Sequence, residues 1–203
     1  MSHVASVLLI VDVQNDFCPG GALPVPGGDR VIPVLNRYIE KCREPQIPII
    51  ASRDWHPEKT AHFKAYGGIW PPHCIQDTKG ARFHPDLKLP KETVVVSKGM
   101  DPEKDSYSAF QAFDPEGTLL AELLKSRRVG HLFVGGLATD YCVRASVLDA
   151  LREGFRATVL ADAVCGVELK PGDSQKAFDE MMRAGADQTS SEHFGRWLVS
   201  LKR

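Results

Sequence analysis

The chain has 203 residues, with 25 basic and 26 acidic side chains for a formal charge of −1, and five cysteines. With 43% hydrophobic and 25% charged residues it has an ordinary globular composition, which excludes disorder and fibrous repeats. Near-zero net charge argues against a nucleic-acid partner or an anionic membrane surface, both of which call for a basic field.

The elements follow in chain order. Val4–Val11 is a nearly unbroken apolar run, as expected of a strand covered on both faces. It is far too short to cross a bilayer and lacks the basic lead and cleavage site of a secretory signal. Over Asp29–Glu44, Val31, Leu35, Ile39 and Cys42 recur at helical spacing, with Asp29 as N-cap and Pro33 in the first turn. Further strands are predicted at Pro48–Ser52, Thr93–Ser97, His131–Val134 and Arg156–Ala161, with a short sixth at Gly185–Thr189. Helical patterns occupy Thr118–Lys125, Tyr141–Arg152 and Asp173–Ala184. This alternation predicts an α/β fold: an open three-layer sandwich, its mostly parallel sheet covered by helices on both faces. No repeat or linker interrupts it, so residues 1–203 read as one domain. One stretch, about 53–92, lacks any period and holds five prolines and four of the seven histidines. An irregular insertion of that length is more often functional than idle.

In open α/β sheets, ligands collect beyond the carboxyl ends of the strands. Asp12 directly follows the first strand, Asp54 and His56 the second, and Lys98 the third. Gly135-Gly136-Leu137-Ala138-Thr139-Asp140-Tyr141-Cys142 follows the fourth. Free cysteines are usually small buried hydrophobes, and Cys142 admits that reading. Its position admits another. Thr139 or Asp140 can cap a helix and place Cys142 in the first turn, where the dipole favours a thiolate, and two amides there could hold an oxyanion. The glycine pair before it lets the backbone approach a substrate. Asp12 and Lys98 are either a turn former and a surface lysine or a withdrawn ion pair beside the thiol, able to lower its pKa and move a proton. Cys18, Cys42, Cys74 and Cys165 have weaker contexts, and the lack of any Cys-x-x-Cys points to free thiols in a cytoplasmic protein.

Asp54 and His56, two apart in an extended segment, share a face, and His73 adds a third donor from the same insertion. One carboxylate and two imidazoles form either a hydrogen-bonded loop cluster or an open three-ligand metal site of the catalytic kind. His62 is an additional donor nearby, whereas His3, His84, His131 and His193 read as incidental. Phe17, Trp70 and Tyr107 fall in loops, either as lids on the core edge or as walls of a pocket for a flat ring.

Five segments carry a resemblance: LLIVDVQNDFCPGGALPVPGG, SRDWHP, WPPHCIQDTKGARFHPDL, VVSKGMDPEKDSYSAF and VGGLATDYCVRASVLDAL. Together they resemble the nicotinamidases, which also hydrolyse pyrazinamide, within the isochorismatase-like cysteine hydrolases. The resemblance implies a six-stranded parallel sheet and an amidohydrolase acting on a linear amide C–N bond in NAD salvage. It implies Asp12, Lys98 and Cys142 as the catalytic set, and Asp54, His56 and His73 as ligands of one divalent metal. Zinc suits those ligands, and iron or manganese would accept them. It further implies Ala138 and Cys142 N–H groups as oxyanion donors, a cis peptide before Ala138, and Phe17, Trp70 and Tyr107 as pocket walls. The position of His62 relative to DWHP differs from many relatives, so His62 is either a fourth ligand or a partner of the ligands. The expected partner is a small amide such as nicotinamide, and a homo-oligomer is compatible with the fold. The rival readings are another hydrolase of the superfamily, acting on isochorismate or an N-carbamoyl amide, and a metal-binding redox-thiol protein without turnover.

Overall fold

The computed structural model describes residues 5–200; Val4 of the first predicted strand and His3 lie outside them. Six strands, β1 Ala5–Val11, β2 Ile49–Asp54, β3 Val94–Lys98, β4 Val129–Leu137, β5 Arg156–Cys165 and β6 Asp187–Thr189, form one sheet in the order β3-β2-β1-β4-β5-β6. Every neighbouring pair is parallel. The chain winds outward from β1 in one direction, then returns to β1 and winds the other way. Its switch point therefore lies between β1 and β4, where a doubly wound sheet opens a crevice.

β1 is apolar throughout because both of its faces are covered. Leu8 and Ile10 point into a core with helix α1 (Val31–Arg43) and α5 (Ser191–Ser200), represented by Leu35, Tyr38 and Phe194. Val7, Leu9 and Val11 point into the other core, with α2 (Leu120–Ser126), α3 (Arg144–Arg152) and α4 (Asp173–Arg183). Helices thus lie on both faces, as the alternation predicted. Among the described residues no helix is long and apolar enough to cross a membrane.

Several boundaries differ from the sequence expectation, each for a physical reason. Asp29 does not cap α1: it sits in a short 3₁₀ turn, Gly28–Arg30, and the helix proper starts at Val31 without a side-chain cap. β4 runs on to Leu137, so the glycine pair lies inside the strand rather than in the following turn. A Cβ at Gly136, where φ is +123°, would stand 2.1 Å from the Val11 carbonyl oxygen. These glycines therefore let β4 approach β1 and α1, not a substrate. β5 also runs four residues longer than predicted, to Cys165, and α5 lies beyond the predicted helices. The stretch 53–92 is irregular as expected, holding the end of β2, one 3₁₀ turn at Lys64–Tyr66 and isolated bridges.

Candidate active site

The carboxyl ends of β1, β2, β3 and β4 deliver Asp12, Asp54, Lys98 and Cys142 to one place. Asp12 leaves β1 in the left-handed region, φ +50°, which a non-glycine residue adopts rarely and mostly where surrounding structure imposes it. Its Oδ1 accepts from the Ser52 hydroxyl at 2.7 Å, and its Oδ2 lies 2.9 Å from Lys98 Nζ. Lys98 Nζ also donates to Asp54 Oδ1 and stands 3.5 Å from Cys142 Sγ. Cys142 Sγ and one oxygen of each aspartate fall within 4.8 Å of one another. The sequence places Lys98 with Asp12 beside the thiol; in the fold the ammonium is shared with a second carboxylate, Asp54, as well.

These groups are buried, and the charge balance follows from that. Burial opposes the charge on Lys98, but Asp12 and Asp54 outweigh it and hold the ammonium well above its ordinary range. Burial raises Asp12, Asp54 adds to the rise, and Lys98 opposes it. Burial also pushes Asp54 up, but Lys98, His56 and His73 bring it below the carboxylate range. The Cys142 thiol is raised well above its usual value by burial, against the pull of Lys98 and with that of Asp12 and Asp54. Lys98 pulls the thiol toward its charged form, as expected, but burial outweighs that pull. A proton acceptor must therefore act during attack, and Asp12, raised and adjacent, is suited to it.

The turn that carries Cys142 is wider than an ordinary helix start. Thr139–Val143 form one π turn that runs directly into α3, and the Ala138 carbonyl accepts from both Tyr141 and Val143 N–H groups at 3.1 Å. The Leu137–Ala138 peptide is cis, at the place the resemblance implied. Neither Thr139 nor Asp140 caps this helix. The Asp140 carboxylate instead accepts from Val167 and Glu168 N–H groups, each at 2.9 Å, tying the loop after β5 to the turn.

Beside the thiol lies a cluster of imidazoles. His56, His62 and His73 offer ligand atoms within 4.8 Å of one another. Asp54 Oδ2 is 3.7 Å from His56 Nε2 and 3.9 Å from His73 Nε2. Each ring has its Nδ1 engaged by an acceptor: the Gly99 carbonyl for His56 at 3.0 Å, the Pro71 carbonyl for His73 at 2.8 Å, and the Asp105 carboxylate for His62. Such acceptors fix the proton on Nδ1 and leave Nε2 as a lone-pair donor, the usual support of metal-binding histidines. His56 Nε2 is buried without a hydrogen-bond partner among the described residues. Burial lowers His73 to about 4, which keeps its ring neutral and able to coordinate. Gly99 is required here: at φ +68°, a Cβ would stand 2.4 Å from the His56 ring. One carboxylate and three imidazoles fit a divalent metal ion. His62, whose role the sequence left open, stacks on His56 at 4.6 Å and belongs to the cluster.

A cavity of about 400 Å³, open to solvent on one side, connects thiol and imidazoles. Phe17, Trp70 and Tyr107 all line it, as expected, together with Leu137, Ala138 and Val167. Tyr141, which the sequence reading placed only on a helix, also lines it, edge-on to Trp70 at 5.0 Å. Trp70 Nε1 donates to the Tyr107 hydroxyl at 2.9 Å, so two walls brace each other.

Sequence reasoning missed the residues that assemble this site. The Gln14 side chain accepts from Asp54 N–H and donates to the Asp54 carbonyl, both at 2.8 Å, clamping the end of β2 against the segment after β1. Asp16 Oδ2 accepts from Cys74 N–H at 2.7 Å and fixes the chain next to His73. Both stand within the five residues after Asp12, a polar run directly after a buried strand; that placement was the available signal.

The Isochorismatase domain family profile matches residues 6–193. The chain belongs to the isochorismatase family. Among its relatives in this family is a nicotinamidase of Escherichia coli, 44% identical over 197 residues that cover 88% of this chain and 92% of the relative. The crystal structure of a pyrazinamidase of Pyrococcus horikoshii in complex with zinc is similar at 46% identity and a TM-score of 0.84, covering 91% of this chain and 98% of that one. An L. infantum protein in complex with nicotinate is similar at 35% identity and a TM-score of 0.81, covering 95% and 96% respectively.

Proposed function

We propose that this isochorismatase-family protein is a cysteine amidohydrolase that converts nicotinamide to nicotinate and ammonia, accepts pyrazinamide, and serves NAD salvage in the cytoplasm. The observation that carries the reading is the joining, in one aromatic-walled cavity, of the Asp12–Lys98–Cys142 cluster with the Asp54, His56, His62 and His73 donors. Relatives that are a nicotinamidase and a zinc-bound pyrazinamidase support it. Residues 1–203 act as one hydrolase domain, and its 53–92 insertion holds all four donors.

Cys142 Sγ attacks the amide carbon while Asp12 takes the thiol proton, and Lys98 offsets the negative charge between them. The oxyanion so formed lies against the N–H groups of Ala138 and Cys142. The C–N bond then breaks, Asp12 returns its proton to the nitrogen, and ammonia leaves with the acyl group on sulfur. Asp12 next removes a proton from water, which attacks the thioester carbon; the C–S bond breaks and Asp12 returns that proton to Cys142, which departs as a thiol. Phe17, Trp70 and Tyr107 hold the ring flat so that the carbonyl meets the sulfur, a positioning effect with large leverage on rate. Asp54, His56 and His73, with His62 as fourth donor, would hold one divalent metal, which would supply Lewis acidity for placing the substrate ring; zinc suits the donors best, with iron or manganese also accepted.

A panel of nicotinamide, pyrazinamide, isochorismate and an N-carbamoyl amide, assayed with and without a chelator, tests the reading. It expects ammonia release from the first two and a loss of apparent affinity on metal removal. Turnover confined to isochorismate or the carbamoyl amide, or substrate affinity untouched by the chelator, would refute it.

A further inference from the structure

The segment after β3 does more than carry Tyr107. From Gly99 to Tyr107 it runs beside the imidazole cluster and is fastened to the insertion at several points. The Gly99 carbonyl accepts from His56 Nδ1 at 3.0 Å. The Pro102 carbonyl accepts from Ala61 N–H at 2.8 Å and from the Thr60 hydroxyl at 3.2 Å. The Asp105 carboxylate meets His62 Nδ1, and the Tyr107 hydroxyl accepts from Trp70.

We propose that Asp105 is the positioning residue of the metal site, holding His62 so that its Nε2 joins the donors of His56 and His73. The two side chains differ sharply in surroundings: His62 is 3% exposed and Asp105 57%. An exposed aspartate gains little by itself from a surface contact. Its effect falls on the buried ring, whose remaining ring contacts are weakly orienting: His56 stacked at 4.6 Å, His73 at 5.4 Å, Tyr107 at 5.7 Å and Phe63 at 6.2 Å. None of those four fixes rotation about the bond to the ring, nor which nitrogen carries the proton. Asp105 does both, as outer hydrogen bonds to metal-bound histidines do, typically worth 10–100-fold in metal affinity. The bonds of the Ala61 N–H and the Thr60 hydroxyl to the Pro102 carbonyl bring the loop close enough for the contact. The inference rests on reading the imidazole cluster as a metal site.

The test titrates the metal-stripped full chain with zinc against a chromogenic chelator, in the wild type, Asp105→Ala, Asp105→Asn, His62→Ala and the double variant Asp105→Ala/His62→Ala. Cobalt absorption spectra and the unfolding midpoint of each metal-free protein accompany it. Asp105→Ala should bind zinc about 10–100-fold more weakly with an altered cobalt spectrum, at an unchanged metal-free midpoint. Asp105→Asn, whose amide oxygen still accepts from Nδ1, should recover part of the loss. Asp105→Ala should add no further loss once His62 is alanine. Wild-type zinc affinity and cobalt spectrum in Asp105→Ala would overturn the proposal, as would a loss that persists undiminished in the His62→Ala background. If the wild type itself binds no zinc, the metal-site reading falls and this proposal with it. A failure confined to Asp105→Ala leaves that reading standing.

Discussion

Lys98 is the charge on which the candidate site turns, because an ammonium at 1% exposure persists only with compensation. Its two aspartates provide it, and in return it holds two buried carboxylates together at one end of the sheet. Replacing Lys98 by Met leaves Asp12 and Asp54 facing each other without a cation. Loss of one partner of a buried ion pair costs about 3–5 kcal/mol, so the metal-free Lys98→Met protein should unfold at clearly lower urea, and its turnover should vanish. An unchanged urea midpoint would contradict the shared-ammonium geometry. Ser52 is a smaller test of the same arrangement. Its hydroxyl donates to Asp12 Oδ1, and hydrogen bonds to charged groups are worth about 1.5–3 kcal/mol. Ser52→Ala should lower kcat by about 10–100-fold while the KM for nicotinamide stays near the wild-type value, because the lost bond steadies Asp12 rather than the ring. Steady-state kinetics separate this from a binding defect, which would raise KM instead.

At the scale of elements, β4 carries two distinct demands. It must pass close to β1 at the switch point, and its end must turn Cys142 back into the cavity. Gly136→Ala brings a Cβ to 2.1 Å from the Val11 carbonyl at a backbone angle that disfavours any side chain. That variant should express poorly or lose several kcal/mol, more than an ordinary exposed Gly→Ala change, as chemical denaturation would show. Earlier in the same strand His131 donates to or accepts from Thr158 at 2.8 Å. Burial, with Arg156 adding, lowers His131 from its ordinary value of 6.5 to about 4. The folded ring is then neutral through a range where the unfolded chain takes up a proton. Stability from this group is unaffected above pH 6.5, falls as pH drops from 6.5 toward 4, and loses at most about 3 kcal/mol in all. His131→Gln should flatten that part of the profile. Unfolding free energies at pH 7.5 and 5.0 check it, and equal losses in both proteins would be contrary evidence.

For the molecule as a whole, what could be read in advance was what local pattern encodes. The apolar run of β1 and the spacing of Val31, Leu35 and Ile39 follow from burial on a sheet and on one helix face, and both are where expected. Asp12, Asp54, Lys98 and Cys142 could be singled out because each lies at or just beyond the end of a strand that aims it at one edge. Gln14, Asp16, Ser52 and Asp105 could not, since their work consists of single bonds across 40 or more residues to groups no local period marks. The misplaced start of the Cys142 helix has a similar cause: Asp140 has the chemistry of a cap, but Val167 and Glu168 compete for it from a distant loop. The raised thiol was hidden because burial, not sequence neighbours, decides it.

On the proposed route Cys142 carries the acyl group, while the neighbouring donors would hold a metal that takes no part in the attack. The most direct measurement is ammonia release from nicotinamide by zinc-loaded wild type and Cys142→Ala, with bound zinc counted in both. The wild type should release ammonia, and Cys142→Ala should hold the same zinc and release none above background. Substantial ammonia from the zinc-loaded Cys142→Ala protein would contradict the covalent route and assign the attack to another group.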